Sequence, residues 1–555
     1  MAEQIRQLRA RRLRAPALRP DVWTLGAGLI ALLVLAPVAA VLWIAANPTE
    51  NIWPHLTATV LPRYIGTTLM LMAGVAALTA AAGTGAAWLV TMYDFLGRRW
   101  LNHALLFPMA IPAYVGAYAL VDVLDYAGPV QAGLRAAFGW TSARDYWFPQ
   151  TRSLWMAVLV FSAALYPYVY LLARAAFREQ SGCTWEVARA LGRGPWALFF
   201  RVGLPLARPA VAAGVALVMM ETVADYGTVY HFGVQTLTTG IFSTWLNGGN
   251  AGGAAQIAGV ALFLIFLLVA LERVSRRNAR FHRMGRAQRP VTRMQLGAGQ
   301  GAAAFLLCLI PFAAGFLLPV GVMLHLAAQA PAHWLAPGLF RALANTLISG
   351  GTAAALTVGM ALFLVYGLRL SGRAGVRAVL PLTTLGYATP GAVLAIGLLL
   401  PLAGLDHKLA DAVLALSGHD PGLMITGTAA ALVVAYVVRF FGVAQGAVDS
   451  AFDRVSPNLP MAARSLGRGA GGTLTAVYLP MMRGSVLTAL LIVFVDCVKE
   501  LPATLLLRPF NYNTLSTRMF ELSSLERLSE AAPAALLVAL VGLAAVAVVA
   551  RANRD

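Results

Sequence analysis

Long apolar segments separated by short polar loops run through the whole chain. Many windows of 18 or more residues carry no charge, and a segment of that length crosses the hydrocarbon core of a bilayer as a helix. The pattern predicts an all-α, polytopic membrane protein with twelve spans, at 22–46, 64–92, 104–125, 152–174, 207–230, 253–272, 300–328, 344–368, 377–404, 422–446, 483–506 and 531–551. The first apolar segment is longer than the core of a secretory signal, so we expect it to be retained as a helix.

The order of the first six spans is repeated in the last six. The segment EVARALGRGPWALFFRVGLP (186–205) aligns without a gap with MAARSLGRGAGGTLTAVYLP (461–480), at an offset of 275 residues. Two halves with the same order and orientation form a parallel repeat, as in transporters whose halves enclose one path. We therefore predict a six-helix domain at 1–272, an arginine-rich linker at 273–299 and a second six-helix domain at 300–555.

The composition agrees with a membrane protein. Hydrophobic residues make up 59% and charged residues 12% of the chain, whereas about 25% of an average soluble domain is charged. The net charge of +19 comes mainly from arginines in short loops, so it indicates topology and a lipid bilayer rather than a nucleic-acid partner. The segment 273–293 holds eight arginines and is predicted to face the cytoplasm, together with both termini.

The three cysteines, Cys183, Cys308 and Cys497, lie far apart in the sequence. Their spacing matches neither a disulfide framework nor a zinc site. We therefore predict no structural metal and no disulfide.

The duplicated segment has a distinct form, Glu-x-Ala-x-x-x-Gly followed after nine residues by Val-x-Leu-Pro. It predicts a short helix, a glycine turn and a second helix that ends at a proline beside the membrane. One copy could be an ordinary pair of amphipathic loop helices, but two gapless copies indicate a functional surface.

The duplicated segment resembles the EAA motif of the membrane subunits of bacterial ABC importers, where it forms a coupling helix that docks on a cytoplasmic ATPase. The resemblance implies a type I importer fold and the following coupling residues: Glu186, Ala188, Gly192 and Pro205, then Met461, Ala462, Ala463, Gly467 and Pro480. Because Met461 occupies the position of Glu186, two unequal docking sites are expected.

The ATPase is expected to be a separate chain, as a homodimer. A Walker A motif needs a lysine after glycines to reach the phosphates, and the two lysines, Lys408 and Lys499, lack that setting. We therefore expect this chain to bind no cofactor and to have no enzymatic activity of its own, with ATP held by the partner.

Charged residues lie inside two predicted spans. Glu221 and Asp225 are four residues apart and are predicted to share one helix face. Asp496 and Glu500 repeat that spacing at the same offset, with Lys499 beside them. A charge that faces lipid at mid-membrane costs about 2.5–3.5 kcal/mol, so these residues should face the bundle interior or a cavity.

Two interpretations of these charges stay open. Lys499 could neutralise Asp496 or Glu500 as an interhelical clamp. Alternatively, carboxylates of both halves line a translocation path, with Tyr226 nearby. Four acids against one lysine favour a cationic cargo, because hard cations prefer oxygen ligands. Pro502 predicts a break in the helix beside this cluster.

The segments ADYGTVYHFGVQTLTTGIFSTW (224–245) and KELPATLLLRPFNYNTLSTRMFEL (499–522) are similar to the fused permeases of bacterial ferric-iron ABC importers. The resemblance implies a periplasmic iron-binding protein, ferric iron as cargo and the bacterial inner membrane as the location. It assigns no iron-contacting residue, so no metal ligand is predicted firmly.

Two alternatives remain. The same machine could carry thiamine, sulfate or a phosphonate, although an anionic cargo would favour arginines over carboxylates in the path. A proton-coupled secondary transporter could use Asp225 and Glu500 as proton relays, but it would not need the duplicated loops.

Overall fold

The computed structural model describes residues 22–180, 182–277, 293–371, 380–456 and 458–552. The N-terminal arginines, most of the predicted linker and the last three residues lie outside the described residues. The orientation predicted from those arginines therefore stays a prediction.

The described part of the first half is mainly helical and contains one two-residue strand. Its helices are α1 (Val22–Ala46), α2 (Trp53–Ala58), α3 (Leu61–Met92), α4 (Arg98–Ala104), α5 (Ala113–Leu124), α6 (Pro129–Phe138), α7 (Leu154–Arg178), α8 (Gly182–Ala190), α9 (Pro195–Leu198), α10 (Leu204–Ala224), α11 (Gly227–His231), α12 (Leu237–Phe242) and α13 (Ala251–Arg277). Strand β1 is Tyr93–Asp94, a 3-10 turn covers Phe107–Ala110, and π-helical turns cover Phe199–Gly203 and Ser243–Asn247.

The second half repeats this order. Its helices are α14 (Ala298–Phe312), α15 (Leu318–Gln329), α16 (Leu339–Ser371), α17 (Leu380–Thr383), α18 (Leu385–Ala388), α19 (Gly391–Ser417), α20 (Ala429–Asp453), α21 (Asn458–Ser465), α22 (Ala470–Thr473), α23 (Leu479–Lys499), α24 (Pro502–Leu507), α25 (Leu515–Ser524) and α26 (Leu528–Ala552). Strand β2 (Met294–Gln295) pairs in parallel with β1. A 3-10 turn covers Pro331–Leu335, and π-helical turns cover Ala313–Leu317 and Leu474–Tyr478.

The described helices confirm a polytopic all-α membrane protein. Eleven of them, counting continuous helical runs as one, are long and apolar enough to cross a membrane. The bent pair Arg98–Ala110 and Ala113–Phe138 supplies a twelfth if it is counted as one span.

The third and ninth spans differ from their predicted form because each is interrupted before a proline. Pro112 and Pro390 both have an extended backbone, with ψ of 144°, and the long helix begins at the next residue. A proline lacks the N–H of a helical hydrogen bond and disfavours helix at the residue before it. The ninth span therefore starts at Gly391 and runs to Ser417, beyond the predicted end at 404.

The two halves interlock through their first helices. Helix α1 packs on α16 and α19 of the second half, and Trp23 stacks on Phe363 with ring centroids 4.8 Å apart. Helix α14 packs in turn on α3, α4 and α7 of the first half, and Phe312 contacts Trp100 edge-on at 5.2 Å. The two halves thus bury apolar surface against each other as well as within themselves.

The internal repeat extends to individual hydrogen bonds. Thr68 Oγ1 accepts the N–H of Leu237 at 3.1 Å. The related Thr346 Oγ1 accepts the N–H of Leu515 at 2.8 Å. Each bond fixes the start of a short helix (α12 or α25) against the second span of its own half, so the two halves position their broken fifth spans in the same way.

The duplicated loops fold as predicted in their first part and differently in their second. A short helix is followed by a glycine with positive φ, 75° at Gly192 and 81° at Gly467. The second helix does not end at the proline but continues through Pro205 into the membrane span. The missing N–H of that proline is accommodated by a wider turn, Phe199–Gly203, just before it. The same arrangement precedes Pro480.

Candidate functional site

A cavity of about 120 Å³ lies where the fifth spans of the two halves end. Its charged lining residues come from both halves: Glu221, Asp225, Arg439, Asp496, Lys499 and Glu500. The structure thus brings together five of the six residues predicted for a path. The sixth, Tyr226, is not among the lining residues. Its ring stacks on Phe242 with centroids 3.7 Å apart.

Asp225 does not share a helix face with Glu221, contrary to the prediction. Helix α10 ends at Ala224, and Asp225 has an extended backbone with ψ of 141°. Its carboxylate accepts the N–H of Thr228 at 2.8 Å and so caps the following short helix. Because the helix ends between the two residues, their spacing of four positions no longer places them on one helix face.

Glu500 repeats this arrangement in the second half. Helix α23 ends at Lys499, which confirms the break predicted from Pro502. The Glu500 carboxylate accepts the N–H groups of Ala503 and Thr504, both at 2.9 Å. These bonds place a buried carboxylate, 5% exposed, at the wall of the cavity.

Lys499 neutralises Asp496 within its own helix and also contacts the first half of the chain. Its Nζ lies 3.2 Å from Asp496 Oδ1, three residues away along the same helix. The same ammonium donates to the backbone carbonyl of Met109 in the first half, at 3.1 Å. The lysine therefore links the two halves through a main-chain oxygen.

Arg439 is a member of the cluster that the sequence interpretation missed. It projects from α20, is 9% exposed, and its Nη1 lies 3.6 Å from Glu500 Oε1. The prediction of four acids against one base was therefore wrong, because the cavity has two bases. The sequence did indicate this residue, because Arg439 is the sole charge in the predicted span 422–446 and a charge inside a span usually faces the protein interior.

Both bases belong to the second half. At the repeat offset, Ala164 takes the place of Arg439 and Ala224 the place of Lys499, and both alanines also line the cavity. The four acids, in contrast, come in repeat-related pairs. The cavity is thus symmetric in its negative charge and asymmetric in its positive charge.

Glu221 bridges the halves through a tyrosine. The Tyr387 hydroxyl donates to Glu221 Oε1 at 3.1 Å. Within the described part of the chain, no three His, Cys, Asp or Glu side chains converge closely enough to hold a metal ion. The carboxylates are thus spread around the cavity wall rather than gathered at one point.

The predicted coupling residues lie on the duplicated loops. Glu186 and Met461 occupy equivalent exposed positions, with Met461 56% exposed, whereas Ala463 is buried at 7%. Ala188 is half-buried, and Ala462 and the turn glycines Gly192 and Gly467 are exposed. Large apolar side chains surround them at the surface: Val187, Leu191, Trp196, Leu459 and Leu466. An exposed apolar patch of this kind is typical of a protein interface.

We expect Arg439→Met to destabilise the protein by about 3–5 kcal/mol, because it leaves the buried Glu500 carboxylate without its ionic partner. Thermal unfolding in detergent would show a lower Tm. The double variant Arg439→Met with Glu500→Gln should regain part of the loss, since neither charge is then buried alone. Equal Tm values for wild type and the single variant would contradict this ion pair.

Comparisons with known proteins agree with the duplication and the membrane architecture. A sequence model of the family described as binding-protein-dependent transport system inner membrane component matches residues 79–280 and again residues 351–554. The Fe(3+)-transport system permease protein FbpB 2 of Haemophilus influenzae is 25% identical over 492 residues, which cover 85% of this chain and 86% of that protein.

Two relatives that are named for the transport of other solutes each match a part of the chain. The probable sulfate transport system permease protein cysT of Nephroselmis olivacea is 26% identical over 37% of this chain and 70% of its own length. The molybdenum transport system permease protein ModB of Escherichia coli is 28% identical over 26% of this chain and 60% of its own length.

Proposed function

Because the chain belongs to the family of binding-protein-dependent transport system inner membrane components, we propose that it is the permease of an ATP-driven importer of ferric iron. A permease of this family is a multi-pass transporter subunit and not an enzyme. The cargo passes through the charged cavity between the halves, with the N- and C-termini in the cytoplasm.

The observation that carries this proposal is the set of four carboxylates around one cavity, in a chain that is similar over most of its length to an Fe(3+) permease. Carboxylate oxygens suit a hard cation such as ferric iron. Their spread around the wall suits passage, because a cargo that is held by many ligands at once leaves slowly.

The duplicated loops couple this cavity to a separate ATPase. Each loop presents exposed apolar side chains, among them Trp196 and Leu466, at the end of a span whose other end lines the cavity. A movement of either loop is thus transmitted along one continuous helix. Glu186 and Met461 differ in charge, so the two loops make unequal contacts with the two ATPase subunits.

A second cargo class, an oxyanion such as sulfate or molybdate, is favoured by two observations. Arg439 and Lys499 also line the cavity, and relatives named for sulfate and molybdenum transport match part of the chain. Both bases are engaged by acids, however, and the cavity keeps two more acids than bases. Ferric iron is therefore the better match.

The cognate periplasmic binding protein provides a direct test of cargo class. Purified from its natural host, it should retain ferric iron and no sulfate or molybdate, as measured by elemental analysis of the protein before and after dialysis. Retention of an oxyanion without iron would replace the proposed cargo while leaving the importer class unchanged.

A further inference from the structure

A stripe of polar side chains leads from the cavity to the surface opposite the duplicated loops. Tyr114, Tyr118 and Asp122 are spaced at i, i+4 and i+8 on α5 and so share one face. Tyr114 lines the cavity, and Asp122 lies in the last turn of α5, which leads into the loop before α7. Because α7 runs from that loop to α8, the stripe and the first duplicated loop lie toward opposite ends of α7.

Buried polar atoms that make at most weak hydrogen bonds to the protein cluster along this stripe. They are the hydroxyl groups of Tyr114, Tyr118, Thr228 and Ser523 and Nε2 of His231. The rings of Tyr118 and His231 meet edge-on at 4.5 Å, and the hydroxyl of Ser523 is the weak hydrogen-bond partner of Tyr118. A buried polar atom without a good hydrogen bond destabilises the folded protein, so a cluster of them is unusual unless it serves a purpose. We call these five residues the outer arm.

The internal repeat shows that the fold does not require polar groups here. The repeat-related positions hold Ala392, Ile396, Ala503 and Leu506 of the second half, and Trp245 of the first half in the position that corresponds to Ser523. All five are apolar, whereas all five residues of the outer arm are polar. Five buried polar atoms on one side, against five apolar side chains on the other, indicate a role in contact with water or with a polar cargo.

The charges around the outer arm are mainly negative. At the cavity end, the Asp225 carboxylate interacts electrostatically with both Tyr114 and Tyr118. At the far end, Arg152 and Asp125 both interact electrostatically with His231. Asp122 lies on the same face of α5 as the two tyrosines. Phenolic, hydroxyl and carboxylate oxygens are the ligands that hard cations prefer.

We propose that the outer arm is the route by which a hard cation reaches the central cavity from the side opposite the duplicated loops. The identity of that cation as ferric iron rests on the proposed function, whereas the route itself does not. Entry of the cation is thereby one-sided at this level, because the repeat-related positions on the other side carry apolar side chains.

Matched cysteine variants test the route. Thr228→Cys lies in the outer arm and Ala503→Cys at the repeat-related position, and both native residues are fully buried at 0% exposure. Each is placed in a chain that carries Cys183→Ser, because Cys308 and Cys497 are buried. The intact complex is studied in sealed vesicles in which the duplicated loops and ATP are on the inside. A membrane-impermeant cationic methanethiosulfonate is then added to the outside.

Thr228→Cys should react at least about tenfold faster than Ala503→Cys, and about tenfold faster with the cationic reagent than with its anionic sulfonate analogue. Labelling after denaturation checks that both thiols are present. Equal rates at the two positions, or a preference for the anionic reagent, would overturn the proposal. The pair His231→Cys and Leu506→Cys repeats the comparison if Thr228→Cys does not assemble.

The labelling rate does not depend on which solute is transported. A chain that shows the predicted labelling but moves no ferric iron would therefore reject the proposed cargo and keep the route. A chain that moves ferric iron without selective labelling would reject the route and keep the proposed cargo.

Discussion

Replacement of Glu500 by glutamine is expected to reduce ATP-dependent uptake of ferric iron at least tenfold while the complex still assembles. The substitution keeps the size of the side chain but removes a buried negative charge from the cavity wall. A charge-assisted contact of this carboxylate with the passing cargo would contribute about 1.5–3 kcal/mol, which corresponds to roughly 10–100-fold in rate. Uptake would be measured in proteoliposomes, with assembly checked by size-exclusion chromatography.

Glu50→Gln is the matched control for this variant. The Glu50 side chain is exposed and accepts a hydrogen bond from the Asn250 amide at 3.3 Å, away from the cavity lining. It should transport at the wild-type rate. Wild-type uptake by the Glu500 variant would remove this carboxylate from the path, whereas a loss shared by both variants would point to a general effect of lost charge.

Replacement of Gly467 by valine is expected to uncouple ATP hydrolysis from transport. Gly467 has φ of 81° in the turn between α21 and α22, and a left-handed backbone costs a β-branched residue roughly 1–2 kcal/mol. The loop should leave this conformation, so the coupling helix no longer meets its groove on the ATPase. Stimulation of ATP hydrolysis by the loaded binding protein should fall to the basal rate.

The neighbouring Gly469 offers a control two residues away. It has an extended backbone with φ of −67°, and a Cβ atom added there meets no other atom within 4 Å. Gly469→Val should therefore keep its stimulated ATPase rate. If Gly467→Val also kept it, the turn geometry of this loop would have no part in coupling.

Much of the fold follows from the sequence because burial in a bilayer leaves a strong one-dimensional signal. Apolar length predicted the twelve spans, and the gapless repeat at 186–205 and 461–480 indicated two similar halves. The exchange of first helices between halves has no such signal, since α1 is apolar on all sides and its partner is chosen by tertiary packing.

The cavity was predicted only in part, for physical reasons that differ from residue to residue. Asp225 was placed on a helix because the apolar pattern continues across the break at Ala224, whereas Pro502 marked the equivalent break in the second half. Arg439 was missed because its partner, Glu500, is 61 positions away in the sequence. Charge pairing of this kind is decided in three dimensions.

ATP-dependent transport by the purified complex of this chain with its ATPase and binding protein tests ferric-iron import most directly. In proteoliposomes without a proton gradient, radiolabelled ferric iron should enter only when ATP and the loaded binding protein are present, and sulfate and molybdate should not enter. Iron uptake driven by a proton gradient in the absence of the ATPase, or ATP-driven uptake of an oxyanion in place of iron, would contradict the account.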